Sequence, residues 1–100
     1  MSKELKKNIE IINQNFNSLK KDYGVKKIGV FGSFVNGRPR KDSDIDILVE
    51  FSQPIGLFKF VRLENFLSEA LNRKVDLATK NALKPVIKKK ILSEVIYARK

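Results

Sequence analysis

The sequence predicts an α/β fold, a small mixed sheet with flanking helices, and three observations predict it. Apolar residues recur at helical spacing in three stretches of the chain. Short apolar runs bounded by turn residues lie between those stretches. The two kinds of segment alternate, which is the pattern of helices packed on a sheet. At 100 residues there is room for one domain, spanning 1–100.

Leu5, Ile9, Ile12, Phe16 and Leu19 repeat at spacings of four and three, one apolar stripe on a first helix. Gly24 follows as its C-cap, and residues 26–31 ("KKIGVF") read as a buried strand. Gly32-Ser33 ends that strand, and a short helix or turn follows to Gly37. After the polar "RPRKDS" loop, residues 44–51 ("DIDILVEF") form a second strand. Pro54 and Gly56 break the chain before a helix whose apolar residues are Leu57, Phe60, Leu63, Phe66, Leu67, Ala70 and Leu71. Residues 74–79 ("KVDLAT") make a third strand. A last helix starts at Pro85, a residue suited to a first helical position, and runs toward Tyr97 with Ile87, Ile91, Val95 and Ile96 as its apolar set.

Composition excludes several chemistries. Without cysteine there is no disulfide, thiol nucleophile or thiolate metal site, and without histidine the commonest general base and zinc ligand are gone. A metal would have to be held by oxygen, which favours a hard cation such as Mg²⁺ or Mn²⁺. No apolar run is long enough to cross a bilayer, and the polar N-terminus does not resemble a signal peptide, so the expected location is cytoplasmic. The net charge of +10 is uneven: residues 1–30 carry +4, residues 31–60 are neutral, and residues 61–100 carry +6. Basic flanks around an acidic centre suit a polyanion held near a metal, and they also suit a merely soluble, lysine-rich surface.

The acidic centre holds the informative residues. On a strand, i and i+2 share a face, so Asp44 and Asp46 present both carboxylates to one side while Ile45, Ile47 and Val49 face the other. Such a pair can converge on a cation, and with a third acid can hold two metals about 3.5–4 Å apart. Asp76, between Val75 and Leu77, is the third acid if its strand lies beside 44–51. Gly32 lets backbone approach a ligand closely, and Ser33 offers a hydroxyl and neighbouring amides to a phosphate. Read singly, each piece also fits ordinary structure: a strand with one wet face, or a serine N-cap after a turn glycine.

In combination, G-S, ten intervening residues, D-x-D and a later V-D-L strand resemble the minimal nucleotidyltransferases of the DNA polymerase beta superfamily, the small partners in HEPN/MNT toxin–antitoxin pairs. The resemblance runs from about residue 25 to the end and includes the tail "NALKPVIKKKILSEVIYA". It implies a polymerase beta-like nucleotidyltransferase core and transfer of AMP from ATP, with pyrophosphate leaving. Asp44, Asp46 and Asp76 would hold two Mg²⁺ ions, with Asp76 also helping to deprotonate the acceptor, and Gly32 and Ser33 would grip the β- and γ-phosphates. The catalytic set it implies is Ser33, Asp44, Asp46 and Asp76. Because the chain has no acceptor-binding domain, the acceptor would come from a partner, a HEPN-type ribonuclease toxin modified on a tyrosine. Members often carry G-S-x-A-R-G, and Asn36 stands here in the arginine's place, leaving Arg38, Arg40 or Lys41 to compensate.

Two other readings stay open. The chain could be an antitoxin that neutralises by binding alone. It could also be a basic nucleic-acid-binding module marked by "IKKKI", but Lys88, Lys89 and Lys90 fan around a helix and no aromatic-rich strand is present for stacking bases. Phe51, Phe58, Phe60 and Phe66 read as core or partner-contact residues. Several apolar helix faces on so small a chain are compatible with a homo-oligomer or a hetero-complex.

Overall fold

In the computed structural model, residues 2–37 and 39–98 are described. The chain runs α1 (Lys3–Gln14), α2 (Phe16–Tyr23), β1 (Val25–Phe31), α3 (Ser33–Asn36), β2 (Ile45–Phe51), α4 (Leu57–Leu71), β3 (Val75–Thr79), a 3₁₀ turn (Lys80–Ala82), α5 (Pro85–Glu94) and β4 (Ile96–Tyr97). One four-stranded mixed sheet has the order β3-β2-β1-β4. The β1/β2 and β1/β4 pairs are antiparallel, and β2/β3 is parallel across the α4 crossover. This is the expected α/β arrangement of a small mixed sheet with flanking helices.

The core lies on the face of β2 bearing Ile45, Ile47 and Val49, all fully buried as their alternation predicts. Leu5, Ile12 and Leu19 from the N-terminal helices and Leu63 and Leu67 from α4 close over the same cluster. Each such side chain contributes about 1.5–3 kcal/mol by leaving water. Leu48, on the opposite face of β2, is also fully buried, so that face is not simply wet. No helix among the described residues is long and apolar enough to cross a membrane.

Two expectations need correction. The N-terminal stripe is carried by two helices, because the chain breaks at Asn15. There the backbone leaves the helical region (φ −98°, ψ 4°), and the Asn15 side-chain amide donates to the Ile11 carbonyl at 2.8 Å. A short polar side chain competing for backbone groups is a common cause of such a break. The last helix stops at Glu94, short of Tyr97. The β-branched Val95 and Ile96 go extended and add β4 to the free edge of β1, with Gly29 opposite Tyr97 and Val30 opposite Ile96. A Cβ at Gly29 would come within 2.7 Å of the Ile96 carbonyl and 2.8 Å of Val95 Cγ2, so this edge accepts β4 only as glycine.

Candidate active site

The parallel β2/β3 register sets Asp46 directly beside Asp76. Partners in register point to the same face, with Cα atoms about 4.8 Å apart. Asp46 is half-buried, Asp76 is exposed, and Asp44 lies in the loop one residue before β2. Burial pushes the Asp46 carboxyl above its ordinary range, and the charges of Asp76 and then Asp44 push it further. The three acids predicted from sequence therefore meet at one end of the sheet.

Phe31, the last residue of β1, also pairs with Asp46, which brings the following turn to the same place. Gly32 adopts φ 77°, ψ −145°, a conformation open essentially to glycine alone. A Cβ there would run into the Asp46 carboxylate, lying 3.1 Å from its Cγ. The glycine is thus required both by its backbone and by its neighbour. Ser33 opens the single-turn α3 and is half-buried beside this glycine. Asn36, at the position of the family's arginine, donates at 2.6 Å to Glu94 Oε2, and the Gly32 N–H points to Glu94 Oε1 at 3.4 Å.

Three residues not singled out in the sequence hold these pieces in place. Arg73 donates from Nη1 to the carbonyls of Arg40, Lys41 and Ser43 at 2.9–3.1 Å, fixing the loop that delivers Asp44. Its other nitrogens pair with Glu4 at 2.8 and 3.1 Å, and its guanidinium lies 5.0 Å from the Phe34 ring centre. On the outer edge of β3, the Val75 and Leu77 N–H groups donate to Ser68 Oγ (3.0 Å) and Glu64 Oε2 (3.0 Å) of α4. Asp76 is thereby pinned on both sides. An arginine after a helix end and two polar residues on a helix carry no sequence signal for such roles. Their partners are set by the fold.

Of the cations expected to compensate for Asn36, Arg38 lies outside the described residues, and Arg40 and Lys41 are exposed on the loop that Arg73 clamps. Among the described residues no three acidic side chains stand ready as a metal cage. The donor set fits a hard divalent cation nonetheless: only carboxylate oxygens are present, they repel one another as they stand, and Asp44 and Asp76 are exposed and free to turn inward. Clefts of about 420 and 500 Å³ lie elsewhere, one at the far end of β2 and one between α1 and the end of α4, and neither includes the Gly32-Ser33 turn or the three aspartates.

A glycine-serine turn set against paired strand carboxylates on a mixed sheet defines a nucleotidyltransferase, and the chain belongs to the nucleotidyltransferase domain family, whose model matches residues 9–98. Within it the chain is a minimal nucleotidyltransferase. It is similar to the protein adenylyltransferase MntA of Thermococcus cleftensis, 45% identical over 87 residues that cover 87% of this chain and 88% of that one. Its fold is similar to a solved structure described as a "putative minimal nucleotidyltransferase", with a TM-score of 0.75 at 31% identity over 90% of this chain and 92% of that one. It is also similar in fold to a chain of the complex of tri-AMPylated Shewanella oneidensis HEPN toxin with MNT antitoxin. There the TM-score is 0.64 at 22% identity, over 91% of this chain and 71% of that one.

Proposed function

We propose that this chain transfers AMP from ATP to a hydroxyl, a tyrosine's, of a HEPN-type ribonuclease toxin in the cytoplasm, and so serves as its antitoxin. The observation that carries the reading is the in-register Asp46–Asp76 pair beside the glycine-only turn at Gly32. The similarity to a protein adenylyltransferase, and to a chain of a complex whose toxin is AMPylated, supports the class of acceptor.

The site residues then take these roles. Asp44, Asp46 and Asp76 would hold two Mg²⁺ ions, which would supply positive charge to neutralise the phosphates and the developing charge. Gly32 N–H and Ser33 Oγ orient the β- and γ-phosphates so that pyrophosphate leaves in line. The acceptor oxygen bonds to the α-phosphorus as the bond to pyrophosphate breaks, and Asp76 helps take the acceptor's proton. The site is an open end of the sheet, as suits an acceptor carried by another protein.

A partner has somewhere to sit. The large exposed apolar residues are Leu57, Phe58 and Val61 at the start of α4 and Val86 and Ile87 at the start of α5. Both helices follow the C-terminal ends of the parallel strands β2 and β3, the end away from Asp46 and Asp76, and residues 52–63 and 77–93 contain seven cations and no acid. Two copies of this surface would repel, so an acidic partner is favoured over self-association. The test is intact-mass measurement of the HEPN-type product of the adjacent gene, co-expressed with this chain or its Asp44→Asn/Asp46→Asn variant. Mass gains in whole AMP units with the parent alone are expected. An unmodified partner that is still bound and neutralised by both proteins would replace this reading with an antitoxin acting by binding only.

A further inference from the structure

Glu94 is the charged group nearest the glycine-serine turn that sequence reasoning passed over, and the sheet register explains why it is there. Along the antiparallel β1/β4 pair each step forward on one strand is a step back on the other. With Gly29 opposite Tyr97 and Val30 opposite Ile96, Gly32 falls opposite Glu94 two residues further on. The contact bears this out: Gly32 N–H points at Glu94 Oε1, while Asn36 Nδ2 holds Oε2 at 2.6 Å. The 3.4 Å contact to Gly32 is long and weak, and the Asn36 contact is short and strong. Glu94 is therefore tethered mainly by Asn36, with its other carboxylate oxygen toward the Gly32 amide.

We infer that Glu94 is an internal competitor for the nucleotide. Its carboxylate occupies the Gly32 amide, Asn36 latches it there, and a phosphate must displace it to bind. This rests on the proposal that Gly32 receives a phosphate, and it deepens that proposal by naming what regulates access. It also gives Asn36 a role: the residue is not a weak substitute for a phosphate-binding arginine but the latch on a competing anion. The competition is between two anions for one donor, so it needs no titration and no change of fold. Because the latch is a neutral amide, it fixes the carboxylate without cancelling its charge, and the repulsion of an incoming polyphosphate stays in place.

The test is isothermal titration of ATP with Mg²⁺ into the parent, Glu94→Gln and Asn36→Ala proteins, with KM and kcat for AMP transfer measured alongside. Glu94→Gln keeps an acceptor for Gly32 and Asn36 but removes the charge. Loss of one negative charge close to a polyphosphate at a solvent-accessible site is expected to tighten binding about fivefold to tenfold. KM should fall in step while kcat stays unchanged. Asn36→Ala keeps the charge and removes the latch, and it should tighten binding by a smaller factor in the same direction. This second variant also covers the case in which Glu94→Gln fails to fold. Equal affinities for all three proteins overturn the inference, as does a Glu94→Gln protein with lowered kcat and unchanged binding, since Glu94 would then merely support the turn. If none of the three binds ATP, the nucleotide reading of the site falls and the competitor falls with it.

Discussion

Replacing Asp46 by asparagine is expected to stabilise the fold while it abolishes AMP transfer. Asp46 and Asp76 stand in register on adjacent parallel strands, with Cα atoms about 4.8 Å apart. Unit charges near that distance repel by about 1 kcal/mol in water-like surroundings. Asp46 is half-buried and Asp76 exposed, so solvent screening trims the repulsion to roughly 0.5–1 kcal/mol. In a domain of this size 1 kcal/mol moves Tm by about 4–8 °C, so Asp46→Asn should melt about 2–8 °C above the parent near neutral pH in low-salt, metal-free buffer. The pH dependence has a definite sign. Because the folded state raises the Asp46 carboxyl, first through burial and then through Asp76 and Asp44, the parent holds this proton more tightly when folded. The stability that proton supplies is fully present below about pH 4 and is lost as pH rises through the raised value. The advantage of the asparagine variant should therefore open with rising pH and close on acidification, and it should shrink in 1 M salt. Thermal melts by circular dichroism across pH 3.5 to 8 measure all of this. A variant that melts below the parent at neutral pH, or a gap that widens in acid, would falsify the claim that these carboxylates are held together against their repulsion.

Adding MgCl₂ should raise the parent's Tm beyond an ionic-strength-matched NaCl control and leave Asp46→Asn nearly unmoved, a comparison that differential scanning fluorimetry can make. Gly32→Ala places a Cβ against the Asp46 carboxylate in a backbone conformation closed to alanine; a cost of about 1–3 kcal/mol in urea titrations is expected, with AMP transfer lost. Arg73→Gln releases the carbonyls of Arg40, Lys41 and Ser43, so amide exchange in residues 40–44 should accelerate and transfer should slow by about a hundredfold through misplacement of Asp44. Asn8 is buried at 3% exposure with its Nδ2 unpartnered, so Asn8→Leu should gain about 1–2 kcal/mol in urea unfolding without altering transfer.

The strands and helices were legible wherever one period dominated. Ile45, Ile47 and Val49 recur at every second position and are buried on one face, and the Leu57-to-Leu71 stripe forms a single helix. The pairing of Asp46 with Asp76 was legible only conditionally, since sequence gives the face of each acid but not which strands are neighbours. Asn15 escaped because apolar periodicity passes smoothly through it; Leu5, Ile12 and Leu19 are buried on both sides of the break. β4 escaped because Val95 and Ile96 fit a helical stripe as well as a strand, and only the vacant edge of β1 decides between them. Arg73, Glu64, Ser68 and Glu94 were invisible for one shared reason. Each acts through a backbone group or side chain from 7 to 69 positions away, and nothing in its own neighbourhood announces that partner.

Those four residues divide the site into a part that is held and a part that is left free. The backbone of β3 is tied at Val75 and Leu77 and the loop before β2 is tied by Arg73, whereas Glu94, held by Asn36, lies over the amide of the turn after β1. The carboxylates of Asp44 and Asp76 are exposed. Like charges kept together by backbone constraints store a repulsion that a divalent cation relieves on binding, so the ordering needed to gather them is done in the folding of the chain. A basic chain can keep three acids unpaired at one end of its sheet on these terms. Among the described residues the one salt bridge joins Arg73 to Glu4, which leaves the aspartates without a lysine or arginine partner and available to a metal. The same division explains why the acids could be read from sequence and their supports could not. The acids are chosen by chemistry, which shows in residue type and spacing, whereas the supports are chosen by geometry, which exists only once the strands have paired.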